Sequence, residues 1–186
     1  FTVNLLRFTV SLAVLTGLHL IQCRATGRSP LYDLKTFPVA VAVLGLMGHA
    51  VYQAGFILGV NRLTAGAAAL LIASSPIWTT VVGHFKGIDR LSGGGWLGLA
   101  IGVVGVVLVI LGQTNGQIDG DALGALLMLA AACAWGLTTV FTRPLLNKGA
   151  SPLGVTTAGL WVAYPVLFGM GVWGMGDLDW SQVGST

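Results

Sequence analysis

Polar and aromatic residues recur at helical spacing in five apolar stretches of the chain. His49, Tyr52, Gln53 and Phe56 fall at i, i+3, i+4 and i+7, which puts them on one face of a helix. Trp135, Thr138, Thr139 and Thr142 share that register, as do Trp161, Tyr164, Pro165 and Phe168, and Asn4, Arg7, Phe8 and Ser11. Ser75, Trp78 and Thr79 form a further set, with Ser74 and Thr80 alongside. Such side chains suit solute recognition: rings supply apolar contact while a few amides and hydroxyls orient the solute. Hydrolytic chemistry asks for acid pairs, histidine clusters or an activated Ser or Cys. Ser74 and Ser75 have no acid–base partner close by in sequence, so an intramembrane enzyme requires His49 to approach them in space.

The rest of the composition says where these stripes must lie. Of 186 residues, 55% are apolar and 8% charged, against about one quarter charged in a soluble domain. There is no glutamate; the acids are Asp33, Asp89, Asp119, Asp121, Asp177 and Asp179. The formal charge of +3 comes without a basic run interleaved with aromatics, so nucleic acid is not an expected partner. Composition excludes a soluble enzyme, a disordered tail and a disulfide scaffold, and leaves a membrane protein with the bilayer as its surroundings. Cys23 and Cys133 are expected to remain thiols. The chain opens at Phe1 inside one hydrophobic segment and stops just after another, which reads as a fragment of a longer polytopic protein.

A helix crossing a hydrocarbon core of about 30 Å needs roughly 20 mostly apolar residues. Six stretches qualify: Thr2–Gln22, Phe37–Gly59, Thr64–Phe85, Gly94–Gly112, Gly120–Thr142 and Pro152–Met175. They are too long and too evenly apolar for barrel strands, so the fold class is an all-α polytopic bundle. Arg24, Arg28, Lys35, Lys86, Arg90, Arg143 and Lys148 alternate onto one side of the membrane, leaving Arg62 with Asp119, Asp121, Asp177 and Asp179 opposite. The bias in basic residues makes loops 23–36, 86–93 and 143–151 cytoplasmic.

Simpler roles compete with each stripe. Hydroxyls and imidazoles on membrane helices often serve only to hydrogen-bond a neighbour, and Trp96 and Trp180 read as interfacial anchors. Arg7, the strongly charged residue well inside a span, must snorkel or face protein or water; both readings stand. His49 either bridges helices as a neutral ring or takes part in function, while His19 and His84 are expected to be solvated at their span ends. Pro76 and Pro165 each remove an amide that would pair four residues back, giving a flexing point or a static kink. Gly98, Gly102, Gly105 and Gly112 form a small-residue stripe without a polar side chain between Leu97 and Gly112. We read that fourth span as packing structure, with a contact to a second copy (a homodimer) as one form of it.

The block GAAALLIASSPIWTTVVGHFKGIDRLSGGGWLGLAIGVVGVVLVILG resembles the most recognisable part of EamA-type transporters of the drug/metabolite transporter superfamily. A small-residue helix with a mid-span proline leads to an acidic-Arg-Leu loop and a Trp-led glycine-rich helix; Pro76, Asp89-Arg90-Leu91, Trp96, Gly98 and Gly105 take those places. Arg7 is similar to an arginine of the family's second helix. The run GDALGALLMLAAACAWGLTTVFTRPL, with Trp135 and Arg143, looks like the start of a second repeat. Asp89 stands where the family usually has Glu and keeps the charge.

The resemblance implies ten helices in two five-helix inverted repeats working by alternating access. The six visible helices would be numbers two to seven, with 1–114 completing the first repeat and 115–186 beginning the second. It implies export of small metabolites, such as amino acids or related compounds, across a bacterial inner membrane, without a metal or cofactor. Arg7, His49, Tyr52, Gln53, Ser75, Thr79, Trp135, Thr138 and Tyr164 are then the candidate lining of the solute's route. No visible span carries an interior carboxylate, so movement is either facilitated or coupled through His49 or helices outside this chain. A non-transporting assembly subunit, with its stripes packed dry against one another, is the third reading.

Overall fold

The computed structural model describes residues 2–88, 90–113 and 122–174. Asp89, Asp119, Asp121, Asp177, Asp179 and Trp180 lie outside them. The described residues form helices joined by short turns and loops, without a β-strand: α1 (Thr2–Thr26), α2 (Tyr32–Thr36), α3 (Pro38–Gly45), a π-helical segment Leu46–Val51, α4 (Tyr52–Val60), α5 (Ala65–Ile72), α6 (Ser75–Phe85), α7 (Gly93–Gln113), α8 (Ala122–Asn147) and α9 (Pro152–Trp173).

Among the described residues five stretches are long and apolar enough to cross a membrane: Val3–Thr26, Pro38–Val60, Ala65–Phe85, Ala122–Asn147 and Pro152–Trp173. The remaining expected span coincides with α7, whose apolar run over the described residues is the shorter Gly93–Gly105. Several helices outrun the apolar stretches from which they were expected. α1 continues past Gln22 to Thr26, and α8 continues past Thr142 to Asn147, carrying Arg143 and Pro144 inside the helix. The expected loops 23–36 and 143–151 are therefore shorter as loops, and the first contains α2.

Local chemistry sets the helix ends. Gly27 and Gly87 adopt φ of 67° and 68°, and the next amide reaches back to the carbonyl five residues earlier: Arg28 N–H to Cys23 O at 3.1 Å and Ile88 N–H to Gly83 O at 3.0 Å. This is the Schellman stop, for which only glycine enters the left-handed region without strain. Thr64 and Ser151 begin α5 and α9, accepting the amides of Ala67 and Gly154 on their hydroxyls. In the third span the expected weakening near Pro76 is a full interruption. The chain turns at Ala73–Ser74, where Leu71 O accepts both the amide of Ser74 at 3.2 Å and its hydroxyl at 2.6 Å. Pro76 thus occupies the first turn of α6, where a missing N–H costs little. Pro165, by contrast, lies inside a continuous α9.

The chain divides into two compact units, Phe1–Ala50 with Ala150–Thr186, and Val51–Gly149. Their boundaries differ from the repeat division expected near residue 114. In the first unit α9 is the common partner of α1, α2 and α3. Leu12, Ala50, Leu160, Ala163 and Leu167 form its apolar centre, flanked by Phe8, Leu15 and Tyr164. Gly45 and Gly159 meet backbone to backbone: a Cβ on Gly45 would strike the carbonyl oxygen and Cα of Gly159. In the second unit α8 takes that role, packing against α4, α5 and α6, while α7 packs on α5. Small residues again carry the contacts. Gly55 faces Leu127 O and Ala131, Gly59 faces Gly124 and Met128, and Gly136 faces Trp78 and Thr79. In lipid there is no water to drive apolar helices together, so association depends on such close approach.

Gly45→Ala and Gly136→Ala are therefore expected to destabilise the intact protein by about 1–3 kcal/mol each, the usual effect of overpacking. Gly17→Ala, whose Cβ would meet nothing within 4 Å, should leave thermal unfolding in detergent unchanged or slightly raised. Equal melting temperatures for all three would contradict this packing.

Candidate functional site

In the second unit the candidate residues of α4 and α8 come together. The Tyr52 ring lies 5.2 Å from that of Trp135, with planes tilted by 46°, and 6.0 Å from Phe56, nearly stacked at 24°. Trp135 nevertheless remains 45% exposed, whereas Gln53, one position along from Tyr52, is only 2% exposed. One aromatic platform thus stands open above a sequestered amide. His49 belongs to the π-helical turn that precedes α4 and is half-buried. Such wide turns in helices frequently accompany functional positions.

The hydroxyls on these helices turn inward. Thr138 donates to Ala134 O at 2.8 Å, Thr139 to Trp135 O at 2.9 Å and Thr142 to Thr138 O at 2.7 Å. Thr79 donates to Ser75 O at 3.1 Å and Thr80 to Pro76 O at 2.6 Å. Each hydrogen is committed to a carbonyl one turn back, and only the oxygen lone pairs are left for anything else. Ser75 contributes its carbonyl to this pattern at the head of α6.

In the first unit the stripe of α9 is joined to α1 through two polar rungs, made by Thr9 and Thr16 and not by the expected α1 set of Asn4, Arg7, Phe8 and Ser11. Thr9 donates its hydrogen to Leu5 O at 2.8 Å, so the 2.9 Å contact between Thr9 Oγ1 and Tyr164 is one in which the phenol donates. Trp161 Nε1 donates to Thr16 Oγ1 at 3.0 Å. Tyr164 also lies 6.1 Å from Phe168. Both Trp161 and Phe168 stay about half exposed, so their faces are open even where a polar atom is engaged. Arg7 is exposed and lays its guanidinium 5.2 Å from the centre of the Phe8 ring.

Three expectations need amendment. His19 is not solvated: it is 6% exposed and hydrogen-bonded to Pro30 O at 3.0 Å. His84 is half-buried, accepts the amide of Leu91 on Nδ1 at 3.0 Å, and meets Trp96 edge-on at 5.2 Å. Around Gly98, Gly102 and Gly105 the described residues place no atom within 4 Å of where a methyl group would project, so these glycines bring no described helix of this chain against α7. Asp33, which carries no signal in the sequence, is 4% exposed, beside His19 and Cys23. Only the i, i+4 spacing of His19 and Cys23 hints at that cluster; Asp33 and Ser151 join it across 118 residues of sequence.

Residues 1–111 match the EamA-like transporter family. A Bacillus subtilis (strain 168) protein named "Uncharacterized transporter YdfC" is 30% identical over 138 residues, 74% of this chain and 42% of that protein. A protein of Escherichia coli (strain K12) named "Probable amino-acid metabolite efflux pump" is 31% identical over 101 residues, 54% of this chain and 33% of its own length. The "Uncharacterized inner membrane transporter YedA" of the same strain is 28% identical over 83 residues, 44% of this chain and 25% of its own. The chain spans less than half the length of each of these relatives. No solved structure matches it. With five helices among the described residues long and apolar enough to cross a membrane and a family match over residues 1–111, this chain belongs to the EamA-like transporter family.

Proposed function

We propose that the intact protein exports a small amphipathic metabolite, an amino acid or related compound, by alternating access. The architecture is that of ten helices in two inverted repeats, of which this chain supplies the second to the seventh. Residues 1–114 finish one repeat and 115–186 begin the other. The observation that carries the reading is the Tyr52–Trp135 pair, an open ring platform held in place by a second ring. Aromatic surface at membrane depth suits a solute with an apolar body. Arg7, His49, Gln53, Ser75, Thr79, Thr138 and Tyr164 complete the lining of its route. Pro76 and Pro165 mark helices that yield as access alternates, one at an interruption and one within a continuous helix. Gly98, Gly102 and Gly105 pack against a helix outside this chain, a second copy being one such partner. The name of the Escherichia coli relative supports an amino-acid metabolite as the solute class.

A solute screen in cells expressing the intact protein tests this. Once a transported solute is found, Trp135→Ala should lower its transport at least tenfold, about 1.4 kcal/mol, while Trp135→Phe retains most of it. Gln53→Ala should weaken transport as well. If both alanine variants move the solute as well as wild type does, the lining is assigned wrongly.

The orientation has its own check. Cysteines introduced at Arg28 and Lys148 should react with an impermeant maleimide from the cytoplasmic side, and one at Asn61 from the opposite side. Labelling of all three from one side would refute it.

A further inference from the structure

A polar cluster separate from the stripes occupies the end of the first unit where α1 stops, α2 folds across and α9 begins. Its centre is Asp33, the one buried side chain of α2. Tyr32, Lys35 and Thr36 are exposed and Leu34 is half-buried, so no apolar core fastens this short helix. What fastens it is a carboxylate. Asp33 Oδ1 accepts the amide of Ser151 at 3.1 Å, and Ser151 is the N-cap of α9. The first turn of a helix presents unpaired N–H groups and the positive end of its dipole. An ionised carboxylate there gains charge-assisted hydrogen bonding, which offsets the large cost of burying an anion.

The surrounding residues are shaped to this seat. Ser151 Oγ accepts the amide of Gly154 at 3.3 Å and donates to Gln22 Oε1 at 3.0 Å, tying α1 to the same turn. Pro30 O can only accept, so His19 Nε2 carries the hydrogen in its 3.0 Å contact. Gly154 is the decisive residue. A methyl group there would run into Asp33 Oδ2, with Asp33 Cγ at 2.9 Å and His19 Cε1 at 3.1 Å. The glycine leaves the space that the carboxylate fills. Beneath the strap is a cavity of about 80 Å³ whose walls include His19, Gln22, Cys23, Tyr32 and Asp33. The Cys23 thiol, 6% exposed, lies 3.6 Å from His19 Nε2.

We propose that Asp33 is the bolt of a latch. Seated on the start of α9, its carboxylate holds α2 across the cavity and keeps Cys23 covered; when the carboxylate leaves its seat, α2 lifts and the thiol becomes accessible. A strap held to the rest of the unit by polar contacts, Asp33 on the start of α9 and Pro30 O on His19, between the left-handed Gly27 and the start of α3, can open without disrupting an apolar core. Nothing in this geometry depends on which solute is carried.

The test is alkylation of Cys23 by N-ethylmaleimide in the intact protein, with every other cysteine replaced by serine. The wild-type seat should react slowly. Asp33→Asn, which removes the charge, and Gly154→Ala, which expels the carboxylate by contact alone, should each react on the order of tenfold faster. Because the severe clash of Gly154→Ala is with Asp33, the approach to His19 Cε1 being a looser 3.1 Å, the double variant Asp33→Ala/Gly154→Ala should react little faster than Asp33→Ala alone. Wild-type rates in both single variants, or fully additive acceleration in the double, would overturn the latch. Hydrogen exchange on the unaltered protein decides the matter if a variant fails to fold. Peptides covering Lys35–Phe37 and Ser151 should exchange with one shared opening rate, and independent rates would refute a common latch.

Discussion

Where water does not reach inside a bilayer, a polar side chain must find its hydrogen bonds within the protein, and this constraint shapes the described helices. The threonines of α6 and α8 meet it by donating to their own helix one turn back. Tyr164 and Trp161 meet it across helices, through Thr9 and Thr16. Once those donors are engaged, what the helices still offer is ring faces and hydroxyl lone pairs. That surface is weakly polar and rich in π-electrons, which is the ground for the amphipathic solute proposed above. Trp161, with its N–H engaged by Thr16, and Phe168, with none to engage, stay about half exposed, as does Trp135, so the faces of these rings are not consumed by packing.

Helix association obeys a parallel rule. Apolar side chains gain nothing by leaving lipid for one another, so the close contacts fall where side chains are smallest. Gly45 on Gly159, Gly55 on Ala131 and Gly136 on Trp78 are the points where α9 and α8 draw their neighbours in. α7 is the counterexample. It has the same glycine spacing, yet Gly98, Gly102 and Gly105 face open space among the described residues. A small-residue stripe permits close approach but does not name the partner.

Which parts of this were legible in the sequence follows from range. Five of the six expected spans, the all-helical class and the family were, because hydropathy and short motifs are local properties. The pairing of Tyr52 with Trp135 was half legible: each stripe shows in its own register, but that α4 and α8 should meet is a fact of tertiary packing. Span ends were misjudged at α1 and α8 because hydropathy falls before the backbone stops being helical; Arg24 and Arg143 prolong helices that an apolar count ends early. Asp33 was invisible. A carboxylate in a basic loop reads as solvated, and only the start of α9, more than a hundred residues away, gives it a buried seat.

Central to all of this is the claim that the aromatic and polar stripes face an aqueous route while α7 does not. Single cysteines placed in turn at Tyr52, Trp135, Trp161 and Tyr164, and at Leu97, Ile101 and Val104 on α7, would measure this in the intact protein with a water-soluble, impermeant thiol reagent. The stripe positions should react and the α7 positions should stay silent. Silence along the stripes, or reaction along α7 at the same rate, would contradict it.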